Sequence, residues 1–356
     1  MRAKASTSSS SSSSAHPRDP VQAHVNAYAS ADWRGAAWTL GLTVAMYAGT
    51  LALYPAMCAT TAGRVAWVLL RGGVFVRVFV LAHDCMHNAF FPRSRWNVAV
   101  GRVVAAEALT PFESWRKGHL FHHQTSGNLD VVHVDVAHRS GDTILWTSRD
   151  WARMPSHRRR WLRVVRDPLV FFSLVPMLVF FVLYRIPSAS RNGPPTGVMF
   201  VNAYRLAEIA AVQLLWLGGG FWWTECAAMW VGACVGVMLF HLQHGVNRGY
   251  RVEAAEHDRR TASLLGSTFM QVPFWLKWVT LGIEYHHIHH LNPQVPCYKL
   301  ARCHESAPPG TWDDVVKVPF GRLAVASLLN VMWNEETQAY EPFPAWKPLQ
   351  DWILDA

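Results

Sequence analysis

Three histidine-rich segments carry the residue types that can do chemistry in this chain. They are His83-Asp84-Cys85-Met86-His87, His119-Leu120-Phe121-His122-His123 and His286-His287-Ile288-His289-His290. Imidazole is the commonest side-chain metal ligand. Residues three and four apart are neighbours on a helix surface. On that spacing His83 and His87 can grip one ion, and His119, His122 and His123 can present nitrogens to a pair. Leaving His287 aside, the segments offer eight histidines, twice what a tetrahedral zinc site takes and enough for two ions. An all-nitrogen donor set suits iron, copper, zinc or nickel. The cysteines (Cys58, Cys85, Cys226, Cys234, Cys297 and Cys303) show neither a C-x-x-C pair nor a disulfide framework. The isolated histidines His16, His24, His138, His157, His257 and His304 read as ordinary core or surface residues.

The elements that must position these segments are apolar. Of 356 residues, 51% are hydrophobic, only 16% are charged, and 18 are Trp. Soluble domains average about 25% charged residues, and Trp concentrates at bilayer interfaces. The net charge of +9 is local. Eight arginines lie between Arg139 and Arg166, offset only by Asp142 and Asp150. That clustering suits the cytoplasmic face of a membrane protein and argues against a nucleic-acid partner.

Trp38 to Met57 is an uncharged apolar stretch long enough to span a bilayer. A second, Val65 to Ala82, runs into the first histidine segment and carries Arg71 and Arg77. Charges inside such segments face a protein interior or pair with one another. Arg77 can snorkel to the interface, whereas Arg71 needs a partner, for which Glu107 is the candidate. Val98 to Leu109 is too short to span and suits a re-entrant or interfacial segment. Pro168 to Tyr184 reads as a span. Leu206 to Leu217 and Ala227 to Phe240 flank Gly218-Gly219-Gly220. If a histidine near His241 joins the metal site, an even number of crossings must separate it from His123. One of these three stretches should then fail to cross, with the glycine-interrupted pair as the place for the irregularity. Phe274 to Ile283 reads as an interfacial helix. The Ser-rich start is expected to be a disordered tail or a transit peptide. The domain expectation is a disordered tail over 1–34, one membrane domain over 35–345 and a C-terminal tail over 346–356.

Hydrolysis has little use for a membrane-buried apolar substrate; oxygen chemistry on unactivated C–H bonds does, and no side chain performs it. The flanks then carry a resemblance. H-D-C-M-H-N-A-F-F, T-P-F-E-S-W-R-K-G-H-L-F-H-H-Q-T-S-G-N-L-D and Y-H-H-I-H-H-L-N-P-Q-V-P-C-Y-K-L resemble the three histidine boxes of the membrane fatty acid desaturase family, in order and spacing. The flanks are similar to those of acyl-lipid desaturases that add a second or later double bond. The resemblance runs from about Trp38 to Phe343 and is weak for the position of the double bond.

It implies an all-α integral membrane protein, a multi-span helical bundle with a cytoplasmic-side, histidine-rich di-iron cap. Carried over residue by residue, the implied metal ligands are His83, His87, His119, His122, His123, His286, His289 and His290. A further ligand is implied from the segment before the third box. His244 is chosen for it, with His241 as the alternative. His287 is expected outside the ligand set, and Asp84 is expected to accept a hydrogen bond from a ligand imidazole. The implied activity is oxygen-dependent desaturation of a lipid-linked acyl chain, with two iron ions as cofactor and dioxygen as co-substrate. Water is released as two hydrogens leave adjacent methylenes. The implied partners are an acyl-lipid substrate, membrane lipid and a separate electron donor, cytochrome b5 or ferredoxin. The implied location is a multi-pass position in the endoplasmic reticulum or plastid membrane if the source is eukaryotic. An elongated apolar tunnel should run from the cage. Arg158, Arg159, Arg160, Arg163 and Arg166 could dock an acidic carrier or face anionic lipid. Val131-Val132-His133 and Met86 depart from the family pattern, which leaves the role of the loop after the second box open. The competing enzyme reading is a hydroxylase or ketolase using the same boxes on another lipid. The non-enzyme reading is a metal transporter, which would need histidines deep within spans.

Overall fold

The computed structural model describes residues 19–132, 145–186, 199, 202–205, 207 and 221–355. It is mostly helical. Two long helices open it, α1 (Pro20–Tyr28) being a short prelude to α2 (Trp33–Met57) and α3 (Thr61–Met86). Asp32 and Thr60 cap the N-termini of α2 and α3 by accepting from the amides of Gly35 at 2.7 Å and Gly63 at 3.0 Å, which satisfies donors a helix start leaves unpaired. A helical hairpin follows, α4 (Ser94–Glu107) and α5 (Phe112–Thr125). Next come α6 (Ser156–Val165) and α7 (Pro168–Met177), the latter extended by a wide π turn at Leu178–Val182 and a 3-10 turn to Arg185. The bundle closes with α8 (Phe221–His244).

Among the described residues four helices are long and apolar enough to cross a membrane: α2, α3, the continuous Pro168–Arg185 segment and α8. Among the described residues two of them lie between His123 and His241. The glycine triplet and most of Leu206 to Leu217 lie outside the described residues, and so does His133.

Helix α3 is the hub, with every residue from Val74 to Val78 and from Val80 to Met86 buried. Its closest approach is to α8. A Cβ on Gly72 would sit 2.9 Å from a Val231 methyl, and one on Gly232 would sit 2.9 Å from the Gly72 carbonyl oxygen. Only glycine lets the two backbones meet there, the small-residue packing that apolar solvents favour between helices.

Arg71 is fully buried and takes a partner other than the one its sequence neighbourhood offers. It forks onto Glu225 of α8, with Nε–Oε2 at 3.1 Å and Nη2–Oε1 at 2.8 Å. Its remaining donors reach Thr50 Oγ1 at 2.9 Å and the Tyr47 carbonyl at 3.1 Å. Glu107, the expected partner, instead pairs with Arg205 at 2.5 Å and accepts from the Tyr47 hydroxyl at 2.7 Å. Arg205 also lies 3.6 Å from Glu225, so two arginines and two glutamates close one neutral lattice. Glu107 ends α4, and Leu109 follows with a φ of 54°. The tip of the α4–α5 hairpin therefore turns within the bundle, and the Arg185 side chain donates to its Leu109 carbonyl. Irregular backbone at such depth persists only where protein satisfies it.

After α8 the chain forms a compact cap. It contains α9 (Arg259–Leu265), α10 (His286–Leu291), α11 (Cys297–Glu305) and α12 (Lys347–Asp355). Two small sheets brace it. Strand β2 (Thr268–Gln271) pairs in parallel with β3 (Val316–Pro319), and β4 (Met332–Asn334) lies between β1 (Trp146–Thr147) and β5 (Ala339–Glu341). Both described ends dock on the cap. Residues 20–28 form α1, which buries Val25 and docks on the cap through Asn26–Asn292 at 2.8 Å and His24 Nε2 to the Cys303 carbonyl at 2.9 Å. At the other end Gln350 of α12 donates to the Ala326 carbonyl at 3.0 Å and to Asn330 at 2.8 Å.

Candidate metal centre

Four chain segments deliver imidazoles to one buried space. The end of α3 brings His83, and His87 follows one turn later as its C-cap. Helix α5 brings His119, His122 and His123, the end of α8 brings His244, and the one-and-a-half-turn α10 brings His286, His289 and His290. All nine are buried. They divide into two groups, each with nitrogen atoms within 4.8 Å of one another. The first is His83, His87, His119, His123 and His289; the second is His122, His244, His286 and His290. Helix α5 thus feeds both groups from one face: His119 and His123 point to one and His122 to the other.

The groups meet through their Nε2 atoms. In the first, His83 and His119 are 2.8 Å apart, His119 and His123 3.1 Å, and His123 and His289 2.9 Å. In the second, His122 and His244 are 3.1 Å apart, His244 and His286 2.9 Å, and His286 and His290 3.1 Å. Protons can serve only some of these edges. A ring nitrogen that carries hydrogen has no lone pair, and one that lacks it cannot donate. A cation serves them all. Two nitrogens each about 2.1 Å from one ion, at near right angles, lie about 3.0 Å apart, which matches the observed edges. Burial, reinforced by neighbouring imidazoles, holds His87, His119, His123, His286, His289 and His290 well below the usual imidazole pKa. They are neutral at pH 7 with lone pairs available, the form that binds metal. The residues therefore fit one ion per group.

The surroundings orient the rings. His244 Nδ1 lies 3.1 Å from the Gly266 carbonyl, which fixes that ring with Nε2 toward the second group. His241, one turn earlier, points elsewhere: its Nε2 meets the Ser327 carbonyl at 2.9 Å. His287 turns away from both groups toward His304, 3.2 Å from its Nδ1, with the Trp312 ring edge-on at 4.9 Å. Asp84 departs from expectation. Its Oδ1 is 3.8 Å from His83 Nδ1, beyond hydrogen-bond reach. Its Oδ2 accepts instead from the Cys297 amide at 2.6 Å, pinning the start of α11, and with it the third box, to α3.

Aromatic rings cover the cage, a feature the histidine spacing did not announce. Trp115, one turn before His119, stacks on that ring at 4.4 Å. Phe240, one turn before His244, lies 5.3 Å from both His122 and His244. The aromatic residues four before His119 and four before His244 were the available signal. Together the rings shield the imidazoles from water and give the cage an apolar wall.

Comparison with known proteins agrees with this geometry. The sequence model of the fatty acid desaturase family matches residues 59–314, which include every imidazole of the two groups. The chain is 29% identical over 286 residues to a fatty acid desaturase of Bacillus subtilis, covering 80% of this chain and 78% of that protein. It is 26% identical over 283 residues to the sn-1 oleoyl-lipid 12-desaturase of Synechocystis sp., covering 78% and 76%. It is 27% identical over 262 residues to the sn-2 acyl-lipid omega-3 desaturase (ferredoxin) of Helianthus annuus, covering 67% and 54%. An oxidoreductase of lipid metabolism is what these matches and the paired histidine clusters converge on, and the chain belongs to the fatty acid desaturase family.

Proposed function

We propose that the protein introduces a double bond into the acyl chain of a membrane lipid, with two iron ions held by the nine imidazoles and dioxygen as co-substrate. The observation that carries this reading is the pairing of two all-histidine clusters, bridged by α5 and walled by Trp115 and Phe240 at the end of apolar helices. His83, His87, His119, His123 and His289 would hold one ion, and His122, His244, His286 and His290 the other. Iron bound there supplies the oxygen-dependent removal of two hydrogens from neighbouring methylenes, chemistry that side chains lack.

The chain's own residues do the positioning. The imidazoles would hold the ions, the Gly266 carbonyl orients the His244 ring, Asp84 anchors the third box to α3, and Trp115 and Phe240 exclude water and press the acyl chain against the cage. A one-electron carrier, cytochrome b5 or ferredoxin, supplies the electrons from outside. The exposed Arg158, Arg160 and Arg163 of α6 suit either that acidic partner or anionic lipid. The four apolar helices cross the bilayer, that of the endoplasmic reticulum or a plastid if the source is eukaryotic, with the cage on the cytoplasmic or stromal side.

Expression in a yeast with a defined fatty acid pool tests the activity. Lipid mass spectrometry should find a new unsaturated acyl species, and the purified protein should carry about two iron atoms per chain. One zinc ion and no iron would sink the proposal. Tags near His157, near His257 and at the C-terminus should report one membrane side, and a tag between Pro187 and Pro195 the other.

A further inference from the structure

Arg166 is a buried cation without an anion. It ends α6 at the elbow into α7 and is only 6% exposed. Its Nε has no hydrogen-bond partner, and among the described residues no carboxylate pairs with the guanidinium. The group lies over the Phe171 ring, 4.3 Å from its centroid. Burial draws its pKa down to about 10, so it stays charged at pH 7. Other buried arginines are provided for. Arg71 and Arg205 pair with glutamates, Arg77 donates to Thr43 and to the Trp278 carbonyl, and Arg251 donates to the Tyr340 hydroxyl. A buried charge left unpaired is costly.

Nearby acids are engaged elsewhere. Asp167 caps α7 by accepting from the amides of Leu169 at 3.0 Å and Val170 at 3.4 Å. Asp150 accepts from the Thr147 amide at 3.1 Å and hydroxyl at 2.9 Å. Glu335 accepts from Ser148 at 2.8 Å and faces Arg149 at 3.9 Å. More positive charge leads to Arg166 instead. Arg159, Arg163 and Arg166 are four and three apart, so they line one face of α6. Arg163 is exposed, with its guanidinium 5.4 Å over the Trp151 ring, and Arg159 is half-buried. The elbow also sits at the membrane boundary. The apolar Pro168–Arg185 segment begins two residues after Arg166. Trp161 and Val164, three apart on a separate face of α6, are exposed. An apolar face beside a basic one is the build of a helix lying in the headgroup layer.

We propose that Arg166, approached along Arg163 and Arg159, is a binding site for the phosphate of a membrane-lipid headgroup. This rests on the reading above that Pro168–Arg185 crosses the bilayer, and not on the desaturase activity. Phosphate fits because a guanidinium offers paired donors to two of its oxygens, and because it is the anion a bilayer presents at this depth. A folded acidic carrier can meet the exposed arginines, whereas so enclosed a guanidinium admits a small group on a flexible stem. Phe172, next to Phe171, packs on His241 at 5.3 Å. A lipid held at the elbow therefore also braces the end of α8 that carries His244.

The test uses full-length protein purified in detergent and stripped of lipid, with binding read by native mass spectrometry and by melting temperature. Dimyristoyl phosphatidate should bind at least tenfold tighter than dimyristoylglycerol, which has the same acyl chains and no phosphate. Arg166→Met should weaken phosphatidate binding at least tenfold. The stripped variant should melt no lower than the stripped unaltered protein, because it has lost an uncompensated buried charge. Arg166→Lys, which keeps the charge without the planar fork, should fall between. Arg153→Met, exposed and off the stripe, should bind as the unaltered protein does. Equal phosphatidate binding with and without Arg166 would overturn the site. So would equal binding of phosphatidate and dimyristoylglycerol by the unaltered protein, a comparison that needs no variant to fold. A lower melting temperature of stripped Arg166→Met would show a partner within the chain and overturn it as well. Inorganic phosphate that raises the melting temperature as much as phosphatidate would replace the lipid by a free anion, and ferredoxin binding lost on Arg166→Met with phosphatidate binding retained would replace it by the carrier. A tag between Pro187 and Pro195 that reports the same side as His157 would instead overturn the span reading, which the affinities in detergent do not touch.

Discussion

Two fully buried polar clusters sit in one apolar bundle, and they are built on opposite principles. The lattice of Arg71, Glu225, Arg205 and Glu107 is charged and self-sufficient: each carboxylate has an arginine, and Tyr47 and Thr50 take up further bonds. The cage is built of imidazoles alone, six of which burial holds well below the usual imidazole pKa. Its nitrogens crowd to 2.8–3.1 Å without enough protons to satisfy one another. Arg71 and His83 lie on the same helix, twelve residues and about 18 Å apart. The difference shows what buried polar groups do in an apolar solvent. Where partners are all internal, the cluster fixes the fold; where ring nitrogens crowd one another, the cluster suits a cation.

The largest expected effects separate the two clusters by what they destroy. His122→Ala should take product to background and remove the ion of the second group, while the protein still inserts and purifies. Iron analysis beside lipid mass spectrometry checks it, and misfolding of this variant would mean the cage is itself a folding element. Glu225→Ala should do the reverse. It leaves Arg71 buried with its charge uncompensated, a loss of about 3–5 kcal/mol, seen as a large fall in melting temperature in detergent. Replacing both partners, Arg71→Met with Glu225→Leu, should recover much of that loss, because paired apolar residues of similar volume often substitute without penalty. If the double variant is no better than the single one, the lattice is not the closed unit described here.

Acid should act on the cage. Its imidazoles have depressed pKa values in the folded state, so the unfolded chain binds more protons once pH falls below about 6.5. Stability of the metal-free protein should be flat from pH 8 to 7 and fall progressively below about 6.5. Iron should be released over the same range, since protons compete for the ligand nitrogens. A melting temperature that rises on acidification would contradict the neutral cage. The smallest effect is expected at His287→Ala. That ring faces His304 and Trp312 rather than either group, and substantial activity should remain. Complete loss of iron there would move His287 into the ligand set.

Much of this was legible in the sequence because it is local. Spacings of three and four place His83 with His87 and His119 with His123 on one helix face whatever the rest of the chain does. Long uncharged runs name their own helices. The choice of Glu225 over Glu107 for Arg71 was not legible, because the partner lies 154 residues away and depends on which helices touch. Neither was the division of the nine imidazoles into groups of five and four, which follows from how α5 lies between α3, α8 and α10. The clearance at Gly236, whose Cβ position meets no atom within 4 Å among the described residues, is further still from sequence. A glycine in an apolar helix reads equally as a close contact, as Gly232 is, or as clearance. Only the packing of α8 against its neighbours decides between them. The sequence by itself determined that imidazoles would gather at the ends of apolar helices, since periodicity and hydropathy act within a few turns. The tertiary structure alone decided which of them lie within reach of one another, since those are distances between segments that only packing brings together.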